Sequence, residues 1–111
     1  MIRPRTALLA ALALACGSAL AAPKTLKDAY RDDFLLGTAV NDAIVSGEDA
    51  AQQALAVRHF NAITLENSMK VEVLHPEPAK WDFERADAFV EFGSRHGMFV
   101  VGHTLVWHNQ T

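Results

Sequence analysis

The last apolar run of the chain ends in a cluster of polar and aromatic side chains. The run 98–101 leads through Gly102 into a segment that holds His103, Trp107, His108 and Gln110. Such a run predicts a strand buried on both faces. Burying imidazole, indole and amide groups at its end costs free energy unless each forms a hydrogen bond. Since ligands collect at the carboxyl ends of parallel strands, the cluster is a candidate binding site. The alternative is that the histidines and Trp107 are packed core residues.

A second polar cluster follows an earlier apolar run, 62–65, and contains Glu66, Asn67 and Lys70. Consecutive parallel strands are usually neighbours, so we expect both clusters to face one cleft. A carboxylate, an ammonium, amides, an imidazole and a flat indole together suit a neutral polyhydroxylated ligand, whose hydroxyls need both donors and acceptors. The alternative for Glu66 and Lys70 is a solvated ion pair four residues apart on a helix.

Metal, cofactor and nucleic-acid chemistry are not expected. His103 and His108 are separated by five positions, which fits neither the helical zinc spacing nor an alternating strand pair. The sequence has no Gly-rich phosphate loop, nucleophile elbow or dinucleotide fingerprint. A formal net charge of -3 gives no electrostatic footprint for nucleic acid.

The elements that must position these clusters alternate between strand and helix. We predict strands at 34–40, 62–65 and 99–105. A first helix is predicted to open at Ser46, with Asp49 in capping-box position, and to close at His59. A second, 83–96, is capped by Asp82 and stopped by a left-handed Gly97. This order predicts an α/β fold with parallel pairing.

Each predicted helix has an apolar face for the sheet. The shared positions are Ala50, Ala54 and Val57 in the first helix, and Phe83, Ala86, Val90 and Gly93 in the second. Between the second strand and the second helix, Pro76 and Pro78 deny the segment 66–82 a continuous helix.

The first 21 residues have the form of a secretory signal peptide. Arginines precede an apolar run shorter than the roughly 20 residues of a membrane span, and small residues then predict cleavage between Ala21 and Ala22. Secretion is therefore expected, with no membrane span. The single cysteine, Cys16, lies inside this segment, so the mature chain has no disulfide. A lipid anchor on Cys16 is the alternative.

Three segments resemble glycoside hydrolase family 10, which comprises secreted endo-1,4-β-xylanases with a (β/α)8 barrel. They are FLLGTA (34–39), FNAITLENSMK (60–70) and GHTLVWHNQ (102–110). Pro76, Trp81 and Asp82 also fit the family pattern, and the resemblance covers residues 26–110. It implies that residues 22–111 form the N-terminal part of the barrel, with about its first three strands and two helices.

The resemblance also implies roles for individual residues. Glu66, Asn67 and Lys70 are similar to the residues that bond xylose hydroxyls on the non-reducing side of the cleavage point. His103 is similar to the histidine that contacts the sugar being cleaved, and Trp107 and Gln110 to the platform and hydrogen-bonding partner beside it. Val71 and Val101 depart from the family pattern, in which Trp and Arg are common.

Family members hydrolyse with retention, using two glutamates that follow the fourth and seventh strands. The resemblance therefore implies that no residue of 1–111 is catalytic. The expected partner is xylan or a xylo-oligosaccharide, and the expected state is a monomer. Two alternatives are a non-catalytic carbohydrate-binding module built from the same strands, and another barrel hydrolase that acts on mixed β-glucans.

Overall fold

The computed structural model describes residues 25–109. In chain order the elements are α1 (Leu26–Ala29), β1 (Gly37–Val40), α2 (Asp42–Ser46), α3 (Ala50–His59), β2 (Ala62–Leu65), α4 (Val71–Leu74), α5 (Glu84–Arg95) and β3 (Phe99–Val101). The predictions for the signal peptide, Cys16 and Gln110 lie outside the described residues. No helix between residues 25 and 109 is long and apolar enough to cross a membrane.

The three strands form one parallel sheet in the order β1-β2-β3, as predicted. The register pairs Val40 with Leu65, and Thr64 with Val101. Strand β2 has its predicted bounds, but β1 and β3 are shorter than predicted. Strand β3 ends at Val101, which pairs with Thr64, and Gly102 follows it.

The first predicted helix is wrong, because the segment forms two helices. Asn41 caps α2 by accepting a hydrogen bond from the Ile44 N–H at 3.0 Å. Gly47 then ends α2 with a φ of 85°, a left-handed conformation that glycine adopts at little cost. Asp49 is itself the N-cap of α3 and accepts from the Gln52 N–H at 3.0 Å. Ser46 therefore closes a helix instead of opening one.

The second predicted helix is confirmed as α5, one residue shorter at each end than predicted, but its N-cap is Phe83 and not Asp82. Asp82 accepts a hydrogen bond from the Glu84 N–H at 3.2 Å, and Gly97 has the predicted positive φ of 62°. Two short helices, α1 and α4, were not predicted. In α1 a capping box joins Thr25 and Asp28, and the hydrogen bond from the Thr25 hydroxyl holds the pKa of Asp28 below its usual value.

The predicted apolar helix faces are only partly correct. In α3, Ala50 and Ala54 are exposed, while Val57 packs against the core as predicted and Ala56 is buried. In α5, Phe83 and Val90 are exposed, whereas the buried residues are Ala86, Phe89, Phe92 and Gly93. The packed face of each helix therefore overlaps only partly with the predicted one, because the place where the helix meets the sheet decides which side chains are buried.

The core lies on one face of the sheet, between the strands and the helices. Alternate strand residues point into it, so that Val40, Ile63 and Leu65 pack with Phe89 and Phe92. The opposite face of the sheet is open. It carries the exposed side chains of Phe99 and Val101 and forms a concavity of about 520 Å³.

Candidate functional site

The carboxyl ends of all three strands meet at one edge of the sheet, because the strands are parallel and in register. Asn41 and Asp42 follow β1, Glu66 follows β2, and Gly102 and His103 follow β3. The Glu66 N–H donates to the Val40 carbonyl at 3.0 Å, which extends the ladder to the tip of β2. The two polar clusters predicted from the sequence therefore lie at one edge.

Residues 66–70 form a turn that folds Lys70 back onto Asn67. The Lys70 N–H donates to the Asn67 carbonyl at 2.9 Å, and the Lys70 ammonium donates to the Asn67 side-chain oxygen at 2.8 Å. Lys70 is only 9% exposed. The alternative of a helical ion pair between Glu66 and Lys70 is wrong, since the helix begins only at Val71.

Trp107 joins the β3 tip to this turn. The Lys70 Nζ atom lies 3.9 Å from the centroid of the Trp107 ring, within the range of a cation–π interaction. The ring edge contact with His108 has a centroid distance of 5.5 Å and an interplanar angle of 75°. Trp107 is partly buried, so it is held in place while part of its surface remains accessible.

Glu66 and His103 line the open concavity of the sheet, together with the small strand residues Gly37, Ala39 and Ala62. Both side chains are exposed at its rim. The peptide bond between His103 and Thr104 is cis. Of the residues predicted for the site, Asn67, Lys70 and Trp107 are thus in mutual contact through Lys70, and Glu66 and His103 share the concavity.

Sequence reasoning missed a link between the tips of β1 and β2. The Ser68 hydroxyl lies 2.7 Å from each carboxylate oxygen of Asp42, and the Arg85 Nη1 atom lies 3.6 Å from Asp42 Oδ2. Ser68 is only 5% exposed. The signal in the sequence was that Asp42 follows the first strand closely and Ser68 lies inside the second polar cluster.

The arrangement supplies an ammonium, a carboxylate, an amide and an imidazole beside an aromatic ring. Such a set binds hydroxyl groups through both donors and acceptors, and presents an indole to an apolar ring face. Among residues 25–109 no group of three or more His, Cys, Asp or Glu side chains is arranged to hold a metal ion.

Comparison with known proteins gives consistent matches. The chain matches the family model for Glycosyl hydrolase family 10 over residues 25–111. A β-1,4-xylanase of Dictyoglomus thermophilum is 47% identical over 87 residues, which are 78% of this chain and 24% of that protein.

Solved structures agree. A GH10 endoxylanase retrieved from a sugarcane soil metagenome matches with a TM-score of 0.73 and 52% identity, over 79% of this chain and 26% of that one. Xylanase 10B from Thermotoga petrophila RKU-1, in complex with xylobiose, matches with a TM-score of 0.71 and 36% identity. The match covers 78% of this chain and 27% of that one. The chain spans about a quarter of the length of these relatives.

Proposed function

The chain belongs to glycosyl hydrolase family 10 and has the parallel sheet and helices of part of that family's (β/α)8 barrel, and from this membership we propose that it serves in an endo-1,4-β-xylanase. The reaction is hydrolysis of β-1,4-xylosidic bonds in xylan with retention of configuration. The identity to a β-1,4-xylanase and the likeness to a xylanase in complex with xylobiose support this proposal.

The part of the reaction assigned to this chain is binding of the sugar on the non-reducing side of the cleaved bond. The observation that carries the assignment is the buried Lys70 ammonium, held between Asn67 and the Trp107 ring. An ammonium has three donors, and only one is bonded to Asn67 in the described part of the chain. The others are directed to sugar hydroxyls, while Glu66 and Asn67 supply acceptors.

His103 is assigned to the sugar at the cleavage point, and Gln110 to the position beside Trp107. Retention requires two carboxyl groups about 5 Å apart, one as nucleophile and one as acid/base. In the family both are glutamates that follow the fourth and seventh strands. We therefore propose that both catalytic glutamates lie outside residues 1–111 and that no residue of this chain is catalytic.

The test is hydrolysis of xylan by the protein that carries this chain. NMR of the first products is expected to show the β-anomer, because two displacements retain configuration. The same assay on mixed-linkage β-glucan distinguishes a xylanase from the alternative, a barrel hydrolase that acts on mixed β-glucans. Binding of xylan without release of reducing ends would instead support a carbohydrate-binding module. Faster turnover of glucan than of xylan would contradict the substrate assignment.

Secretion is also part of the proposal, with residues 1–21 as signal peptide. Mass spectrometry of the exported protein is expected to give Ala22 as the first residue. A diacylglyceryl group on Cys16 would contradict this and favour the anchored form.

A further inference from the structure

The hydrogen bond between Ser68 and Asp42 crosses from one strand tip to the next. A serine hydroxyl has one hydrogen, and here both Asp42 carboxylate oxygens lie 2.7 Å from the Ser68 oxygen. Hydrogen bonds from hydroxyl to carboxylate are charge-assisted and stronger than neutral ones. The Ser68 side chain is buried, so losing this partner would leave a buried hydroxyl unsatisfied.

The position of Ser68 in the chain gives this bond its importance. Ser68 lies inside the turn in which the Lys70 ammonium bonds the Asn67 side chain and contacts the Trp107 ring. Within the turn itself, the Lys70 N–H to Asn67 carbonyl bond closes the backbone, but it does not join the turn to another strand. The bond to Asp42 joins the middle of the turn to the first residue of α2, just after β1, in addition to the bond from the Glu66 N–H to the Val40 carbonyl.

Arg85, in the first turn of α5, is the second side chain that contacts the Asp42 carboxylate. The Arg85 Nη1 atom lies 3.6 Å from Asp42 Oδ2, and both side chains are about half exposed. An exposed ion pair of this kind contributes little to stability. Its effect is to orient the carboxylate between α2, α5 and the turn.

We propose that Asp42 and Ser68 are positioning residues for sugar binding, because their hydrogen bond clamps the 66–70 turn to the end of β1. The clamp fixes the Lys70 ammonium against Asn67 and Trp107 before a sugar arrives. Preorganisation of this kind raises affinity by removing the cost of ordering the site on binding. The inference rests on the proposed function for its substrate, whereas the clamp itself has a readout that needs no sugar.

That readout is the NMR shift of the Lys70 side-chain methylene protons. The Nζ atom lies 3.9 Å from the Trp107 ring centroid, so the ring current is expected to move the protons of the adjacent methylene group upfield in the unliganded protein. Ser68→Ala and Asp42→Ala are expected to return these shifts toward the values of an exposed lysine. Asp42→Asn keeps an acceptor oxygen and is expected to retain most of the upfield shift. Lys80, which is exposed, is the internal reference.

Matched controls separate the clamp from general loss of structure. Ser94→Ala and Asp87→Ala remove an exposed hydroxyl and an exposed carboxylate from α5, and both are expected to leave the Lys70 shifts unchanged. The melting temperature of every variant is recorded, so that a lost shift counts only in a folded protein. Ser68→Ala removes a single oxygen atom, and Asp42→Ala tests the same bond from its other end.

The second measurement is the affinity for xylobiose by titration calorimetry. Ser68→Ala and Asp42→Ala are expected to bind about tenfold more weakly, which corresponds to the loss of one hydrogen bond to a charged group. An unchanged Lys70 shift in both variants would overturn the clamp. A lost shift with unchanged affinity would overturn the positioning role. A lost shift in a protein whose wild type binds no xylobiose would support the clamp and contradict the proposed function.

Discussion

At the residue scale, the site depends on how a buried ammonium is accommodated. Burying a charge costs free energy unless it is paired or hydrogen-bonded. The Lys70 ammonium meets this requirement with the Asn67 side-chain oxygen at 2.8 Å and the Trp107 ring face at 3.9 Å, without a carboxylate partner among residues 25–109. Because no carboxylate neutralises it there, the charge remains available to a neutral ligand rich in oxygen.

Replacing the indole tests its part in this arrangement. Trp107→Ala is expected to weaken xylobiose binding by about five- to thirtyfold, since a desolvated cation–π contact and its platform contribute about 1 to 2 kcal/mol. Titration calorimetry measures the change. The matched control is Trp81→Ala, because Trp81 is exposed and stacks on His75 at a centroid distance of 4.0 Å. Equal loss in both variants would contradict a specific role for Trp107.

The residues of the site were predictable to different degrees. Asn67, Lys70 and Trp107 follow from the family resemblance, and their contact follows from parallel strands having neighbouring tips. The sequence places Asp42 just after the first strand and Ser68 in the second polar cluster, but it does not predict their bond, which depends on the turn conformation of residues 66–70. A sequence pattern does not determine which side chain of a turn points back to the preceding strand.

At the scale of elements, the close approach of α5 to the sheet positions β2 and β3. Gly93 lies where the helix crosses these strands. A Cβ atom there would lie 2.4 Å from Val100 Cγ2 and 3.2 Å from Ile63 Cδ1. The absence of a side chain at Gly93 therefore sets the distance between α5 and the sheet, despite the low helix propensity of glycine.

Gly93→Ala is expected to destabilise the protein by about 1 to 3 kcal/mol, because overpacking forces side chains or backbone to shift. Urea unfolding of the protein that carries this chain measures the loss. Ser94→Ala, at the neighbouring exposed position of α5, is the control and is expected to be neutral or slightly stabilising. A Gly93→Ala variant as stable as wild type would show that the strands shift to accommodate the added methyl group, and it would contradict the role given to Gly93.

The elements themselves were predicted best where local and long-range forces agree. Strand β2 is an apolar run between polar residues and was predicted with its bounds. The pattern from Ser46 to Asp49 suggested one helix start, but Asn41 caps an earlier helix that Gly47 ends. Whether the helix starts at Asn41 or at Ser46 depends on the backbone of Asn41, which leaves β1 in an extended conformation. Pairing of β1 with β2 imposes this conformation, and the local sequence does not reveal it.

At the scale of the whole molecule, the described residues bury one face of the sheet and leave the other open. The exposed face carries Phe99 and Val101, which are 60% and 44% exposed. In a closed (β/α)8 barrel this face is the interior, filled by side chains from all strands. This chain spans about a quarter of the length of its relatives, and the rest of their length is enough for the other strands of such a barrel.

Residues 22–111 taken alone are therefore expected neither to hydrolyse xylan nor to unfold cooperatively. Three strands leave unpaired ladder groups and apolar faces in contact with water. Reducing-sugar release from xylan and a urea melt of the expressed segment are the measurements. Turnover would contradict the assignment of both catalytic glutamates to positions outside the segment, and a sharp two-state melt would contradict the need for further strands.

The most direct test of sugar binding at this site is removal of the Lys70 charge. Lys70→Met keeps an unbranched apolar stem of similar length and removes the ammonium. In the protein that carries this chain, kcat/KM on xylan is expected to fall about thirtyfold, equivalent to about 2 kcal/mol for a lost charge-assisted bond. The control Lys80→Met, at an exposed lysine 3.9 Å from Glu77, is expected to stay within about twofold of wild type. Wild-type kcat/KM in Lys70→Met would contradict the assignment of this surface to the substrate.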